Sequence, residues 1–446
     1  MPGIGIERMN ETPKDSKPEM TGTIAKSQPT ASGPIKLEAI EFTAYQKFMI
    51  GLLALLQFTI VLDFMILSPL GDILMKSMEM STTQFGSVVS AYAISACISG
   101  FLAAGFADKF DRKKLLLFFY VGFIIGTFFC ALAYNYETLF IARIVTGIFG
   151  GVIGSISMAI ITDVFSLQQR GKVMGYVQMA FAGSQILGIP IGLLLANAFN
   201  WHATFYMVVV LAILIGIAIV FELKPLTEHL KLQSDKNALQ HLWHTIKKKD
   251  YRIGFIATAM LSMGGFMLMP FTTAFLVNNV NIAQSQIPLI FFFTGISTII
   301  IMPLVGKLAD RFDKFKLFTI GSLIACVMIV IYTNLSPVPI WMVIIINMVL
   351  FMGIMSRMVP ATALNSAVPE MYDRGAYMSV NSSLQQMAGG LAAIFAGMVV
   401  VQQTKTSPIE HFDTLGYVMV GLILWCVYLV SRVSKLVKAK RKMETV

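Results

Sequence analysis

The sequence predicts an all-α membrane protein of twelve transmembrane helices, arranged as two pseudo-symmetric six-helix bundles. Three observations carry that prediction. Of the 446 residues, 56% are hydrophobic and 13% charged, with a mean hydropathy of +0.73, too apolar for water-soluble domains. About twenty apolar residues cross the hydrocarbon as helix, and the chain holds twelve such runs, at 47–70, 85–107, 115–134, 138–161, 173–196, 204–222, 252–276, 286–308, 317–334, 340–363, 376–401 and 415–431. Between the second and third runs lies the charged stretch AGFADKFDRKK, from Ala104 to Lys114, which returns between the eighth and ninth as GKLADRFDKFK, from Gly306 to Lys316.

In that repeat Asp108 answers Asp310, Lys109 answers Arg311 and Asp111 answers Asp313, while Arg170-Gly171 recurs as Arg374-Gly375. Helix is forced on the apolar runs because hydrocarbon offers unpaired backbone groups no water, and the short alternation of an outer-membrane barrel is absent. The expected order is a disordered cytoplasmic tail (1–46), a first bundle (47–222), a central cytoplasmic linker (223–251), a second bundle (252–432) and a basic cytoplasmic tail (433–446). In the linker, Leu230, Leu239, Leu242 and Trp243 beside Lys247, Lys248 and Lys249 suggest an amphipathic helix on the inner leaflet.

All but four of the 34 Lys and Arg residues fall on one side of the proposed membrane. Lys76 and Lys405 lie on the other, and Arg143 and Arg357 lie within spans. That bias places both termini in the cytoplasm of a multi-pass cell-membrane protein. The net charge of +10 therefore reports orientation in a lipid bilayer and excludes a nucleic-acid partner. Cys97, Cys130, Cys326 and Cys426 each sit inside an apolar run and read as small hydrophobes. His229, His241 and His244 lack a carboxylate or thiolate ring, so no metal site and no cofactor are expected.

Asp63 is the acid that lies deep in a span. It stands about 24 Å along the first run from Lys47, and Arg143 about 8 Å into the fourth from the opposite side. The two charges share a depth and are expected to pair. Two readings stay open: a permanent ion pair that fixes helix register, or a carboxyl that gains and loses a proton while Arg143 sets its affinity.

From about residue 47 to 432 the chain resembles secondary transporters of the major facilitator superfamily, of the bacterial drug or metabolite:H+ antiporter type. The family's loop Gly-x-x-x-Asp-Arg/Lys-x-Gly-Arg-Arg/Lys is matched at Asp108, Lys109, Arg112 and Lys113, with Ala104 and Asp111 in place of the glycines. The later copy keeps Gly306, Asp310 and Arg311, with Asp313 at the second glycine. The resemblance implies a cytoplasmic gate in which Asp108 docks at the start of span eleven near Arg374, and by symmetry Asp310 faces span five near Arg170. The plainer reading is that these charges keep the spans from slipping.

Arg143-Ile-Val-Thr-Gly147 resembles the family's pattern whose arginine is linked to proton coupling, and Gly183 to Gly192 approximates the antiporters' glycine and proline signature. Gly188, Pro190 and Gly192 are therefore expected to bend span five, or to form an ordinary packing seam. Phe64, Gln178, Gln185, Phe266, Asn381 and Gln385 are candidate cavity lining. Arg357 either binds an anionic substrate group or is satisfied by carbonyls that Pro360 frees.

The expected function is proton-coupled export, by antiport and alternating access, of a small apolar or amphipathic compound. The proton gradient would be the energy source and the monomer the working unit. The alternatives are an importer or uniporter of a sugar or other metabolite on the same fold, and a polytopic membrane enzyme or receptor. An enzyme is not expected, since Asp63 and Arg143 supply neither nucleophile nor metal.

Overall fold

The computed structural model describes residues 42–103, 109–227, 230, 238–370 and 373–444. Most of the expected N-terminal tail lies outside them. The first half of the chain comprises α1 (Ala44–Ile66), a short α2 (Gly71–Ser77), α3 (Thr82–Ala103), α4 (Arg112–Leu132), α5 (Tyr136–Val164), α6 (Leu167–Gly183), α7 (Ile189–Ala198) and α8 (Trp201–Glu222). Then come α9 (Ala238–Lys247) and the second half: α10 (Lys249–Phe266), α11 (Thr272–Asn278), α12 (Ile287–Arg311), α13 (Lys314–Thr333), α14 (Ile340–Asn365), α15 (Arg374–Val399) and α16 (Phe412–Glu444). Apart from an isolated bridge between Val401 and Glu410, the described residues contain no β-structure.

Among the described residues, eleven helical stretches are long and apolar enough to cross a membrane, α6 with α7 and α10 with α11 each counting as one. The twelfth expected span is α15, which has the length, 26 residues, but carries Asn381, Ser382, Ser383, Gln385 and Gln386 on its first turns. Its polarity is tolerated because α15 packs along α3 rather than facing lipid alone. Most of the expected basic C-terminal tail continues the last helix, since α16 runs on to Glu444.

Helix starts follow local chemistry. Thr43 with Gln46 and Asn135 with Thr138 form capping boxes on α1 and α5. The acids that replace the family's second loop glycine have the same explanation in both copies. Asp111 caps α4 by accepting from Lys113 N at 2.9 Å, and Asp313 caps α13 from Phe315 N at 2.9 Å and Lys316 N at 3.1 Å. Each also holds the end of its half: Asp111 accepts from Leu226 N, just after α8, at 3.1 Å, and Lys438 in the last turns of α16 donates to Asp313 at 2.7 Å.

In span five the helical ladder widens at Ser184–Gly188 into a π-turn, where Ile189 N–H reaches back to Ser184 O. Pro190 follows directly and has no N–H to continue an ordinary ladder. The expected irregularity at Gly188, Pro190 and Gly192 therefore takes the form of a π-turn.

Two seams join the halves, α3 against α15 and α6–α7 against α12. Each requires a glycine: a Cβ on Gly86 would sit 2.6 Å from Ala393 O, and one on Gly295 would sit 2.5 Å from the Ile186 side chain. The apolar core is not divided evenly. At the end bearing the 67–82, 197–201, 279–286 and 400–411 connections, called here the far end, Leu70, Phe85, Phe271 and Ile290 belong to one cluster drawn from both halves. At the opposite, basic end, where the described chain begins at Phe42 and α16 ends, the buried clusters stay separate: Leu116, Phe119 and Ile215 in one, Tyr251, Phe318 and Val430 in the other. The halves thus share one buried core at the far end, whereas at the basic end their buried cores are separate and meet at single side chains such as Phe101 of α3, which packs on the second-half cluster.

The hydrogen bond from Lys438 holds the Asp313 carboxyl below its ordinary range. Such a group stabilises the fold above its unfolded-state value and loses that effect as pH falls through its lowered one. Asn caps a helix as well as Asp does, so Asp313→Asn isolates the charge. Thermal melts should show the variant slightly less stable at neutral pH, by at most about 1 kcal/mol for so exposed a pair, with the difference shrinking as pH falls below the ordinary carboxylate range.

Candidate functional site

Asp63 lies on the last turns of α1 and Arg143 on the second turn of α5, and both side chains are fully buried. Arg143 Nη1 donates to Asp63 Oδ2 at 2.7 Å and approaches the Asp63 carbonyl at 3.4 Å. Thr127 of α4 donates to the other carboxylate oxygen at 3.3 Å. The guanidinium carbon lies 4.6 Å from the centroid of the Tyr92 ring on α3, a contact favourable to a cation. Nε and Nη2 of Arg143 have no hydrogen-bond partner. The pair is therefore single-pronged, so one contact at one oxygen carries most of the electrostatic attraction.

Tyr92 connects this pair to the space between the halves. Its ring packs against Phe64 at 5.4 Å, and Phe64 meets Phe266 of α10 edge-on at 5.9 Å. Phe64 and Phe266, with Ser68, Val89, Met269 and Gly389, line a narrow cleft at the α3–α15 seam. One aromatic layer thus separates the ion pair from the cleft.

The other expected lining residues are not gathered there. Gln178 is exposed, and Gln185 is buried in the π-turn with its Oε1 unpartnered. Gln385 is half-buried on α15. Asn381 accepts from Asn365 at 3.4 Å, in a buried network where Asn365 also bonds Thr258 and the Gly254 carbonyl and accepts from Tyr377 at 2.7 Å. Arg357 is buried in the second half near Phe318.

The gate residues divide likewise. Asp108 and the side chain of Asp310 lie outside the described residues. Lys109, Arg311 and Arg374 are exposed. Arg112 is buried and its Nε meets Asp163 of α5 at 3.1 Å. Arg170 caps the end of α5, donating to the carbonyls of Thr162 at 2.6 Å and Phe165 at 3.1 Å. At the start of α15 the engaged residue is Asp373, which takes Lys248 and, at 2.8 Å, Tyr251; Lys248 is held protonated more firmly as a result.

At the far end the halves are bonded directly. Asp72 accepts from Lys76 at 2.8 Å and from Asn278 at 2.6 Å, Lys76 also reaches Asn278 at 3.1 Å, and Thr82 donates to Val400 O at 2.7 Å. Lys405 pairs with Glu79 at 2.6 Å and holds its carboxyl below the usual range. Sequence reasoning missed this latch, though Asp72 and Lys76 at i, i+4 were its visible trace.

Residues 53–442 match the Major Facilitator Superfamily, and the chain belongs to that family. It is a multi-pass membrane transporter of that superfamily, not an enzyme. It is 27% identical to the uncharacterized MFS-type transporter YceJ of Bacillus subtilis (strain 168) over 270 residues, 60% of this chain and 68% of that one. It is 24% identical to multidrug resistance protein 2 of the same organism over 288 residues, 63% of this chain and 71% of that one. Its fold is similar to that of a bacterial homologue of the human lysosomal transporter Spinster, with a TM-score of 0.71 and 15% identity over 90% of this chain and 99% of that one.

Removing one partner of a buried ion pair strands the other charge, at a cost of about 3–5 kcal/mol. In denaturation of the detergent-solubilised protein, Asp63→Ala should therefore destabilise strongly, and Asp63→Ala with Arg143→Leu should recover more than half of the loss. A double variant no more stable than the single would show that the ion pair is not the interaction lost.

Proposed function

We propose that this transporter is a proton-coupled exporter of small apolar or amphipathic compounds, working as a monomer in the cell membrane with its basic end and both termini in the cytoplasm. One observation carries the reading: a fully buried carboxylate and guanidinium, joined through a single oxygen, lie one aromatic layer from a cleft between the halves. The charge bias of the loops supports the orientation, and the name of one relative, multidrug resistance protein 2, agrees with export of varied compounds.

The closed latch and fused core at the far end define one state of an alternating cycle, in which the two six-helix halves part toward the cytoplasm. A proton from outside neutralises Asp63 and releases Arg143 Nη1. The freed guanidinium repositions against Tyr92, and Tyr92 shifts Phe64 at the cleft wall. A compound in the cleft favours one state only by binding it more tightly. Proton and compound oppose one another because both act on the Tyr92–Phe64 contact. The cytoplasmic gate is completed by Asp108, Lys109, Arg112, Asp310 and Arg311 with the helix starts at Arg170 and Arg374, and span five flexes where the π-turn at Ser184–Gly188 meets Pro190 and Gly192.

The test is an accumulation screen of fluorescent amphiphiles in cells with and without the protein, each with and without a protonophore. Exported compounds should accumulate several-fold less in expressing cells, the difference should vanish with protonophore, and Asp63→Asn should behave as the empty control. Export by Asp63→Asn at wild-type rate would defeat the proposal, and uptake driven by the same gradient would favour an importer.

The latch gives a second expectation. The native cysteines are buried, so Ser68→Cys places a single reporter in the cleft. An impermeant maleimide applied outside intact cells should label it slowly, and several-fold faster when Asn278→Ala removes the bond to Asp72. Equal rates would mean the latch does not control access.

A further inference from the structure

Among the described residues, six charged side chains are almost wholly buried: Asp63, Asp72, Arg112, Arg143, Arg357 and Asp373. Five have an opposite charge within reach, Asp63 and Arg143 in each other, Asp72 in Lys76, Arg112 in Asp163 and Asp373 in Lys248. Arg357 has none. It is 1% exposed, midway along α14, and both Nε and Nη2 lack a hydrogen-bond partner. No carbonyl freed by Pro360 serves them. The thiols of Cys326 and Cys426 are its polar neighbours, and the Phe318 ring centroid lies 5.7 Å from its guanidinium carbon.

Nε and Nη2 share one edge of the guanidinium, so their two N–H groups point the same way as a fork that fits two oxygens of one anion. The facing helix leaves space for about one methyl-sized group beside the guanidinium: a Cβ added to Gly264 of α10 would stand in ordinary contact, 4.0 Å from Nη1 and Nη2 and 3.4 Å from Ile423. A lone cation in an apolar interior is costly and calls for a counter-charge.

We propose that Arg357, opposite Gly264, is a binding site for a monovalent anion. The anion is either inorganic or the acidic group of a transported amphiphile. The second source would narrow the substrate class to amphiphilic anions, and it alone rests on the proposed export; the binding itself requires no proton coupling.

The purified full-length protein in an uncharged maltoside detergent tests this by titration calorimetry and thermal shift. The probes are naphthalene-2-sulfonate, its neutral relative 2-naphthol, and sodium chloride against sodium gluconate. At least one anion should bind saturably, and Arg357→Gln should weaken it by roughly tenfold or more. Gly264→Val, which leaves the charge but fills the space, should do the same and carries the test should Arg357→Gln not fold. Binding read without a pH gradient separates this claim from proton coupling, and Asp313→Asn, a helix-cap variant at the basic end, should bind as wild type. Saturation by chloride identifies an inorganic ion, and by sulfonate but not naphthol a substrate group. No saturable binding of either anion, or affinity unchanged in the folded variants, overturns the site.

Discussion

One constraint governs this molecule: Asp63 and Arg143 must sit in an apolar interior where neither charge can be left alone. Everything around the pair answers to that constraint. Thr127 supplies a hydroxyl to the second carboxylate oxygen, and the Tyr92 face shields the guanidinium. The contact that remains is strong yet made at one point. A pair locked only for register would gain from a two-pronged bond, whereas a carboxyl that must be released gains from having one bond to break.

The same logic of discrete contacts describes the two ends. At the far end, polar bonds through Asp72, Asn278 and Thr82 lie beside apolar packing shared by both halves. At the basic end, Asp111 and Asp313 each tie a loop to its own half, and the buried clusters do not merge. Such an arrangement can rock about a fixed centre, because closing one end does not require the other to be bonded. Gly86 and Gly295 bring backbones close enough along the seams for small rotations to be felt throughout.

Much of this was legible in the sequence. Hydropathy gave the spans because lipid leaves helix as the economical solution, and the repeated charged loop gave the two halves. The shared depth of Asp63 and Arg143 followed from a rise of about 1.5 Å per residue. What escaped prediction depended on contacts between distant residues. Gln178 and Gln185 were expected to line one cavity, yet Gln178 is exposed and Gln185 is buried inside the π-turn, an irregularity that no helical periodicity encodes. Asp373, rather than its neighbour Arg374, anchors the start of α15, because Lys248 and Tyr251 arrive from the start of α10, whose docking no local pattern encodes. The far-end latch was invisible for the same reason, since Asp72 and Asn278 meet across 206 positions.

The measurement closest to the central claim is infrared difference spectroscopy of the Asp63 carboxyl in the reconstituted protein, with Asp63→Asn as the blank. The account predicts a protonated-carboxyl band that grows as pH falls through the range in which export is active, vanishes in the variant and weakens when an exported compound is added. An Asp63 that stays ionised over that whole range would contradict it, and would leave the pair with Arg143 a fixed part of the scaffold.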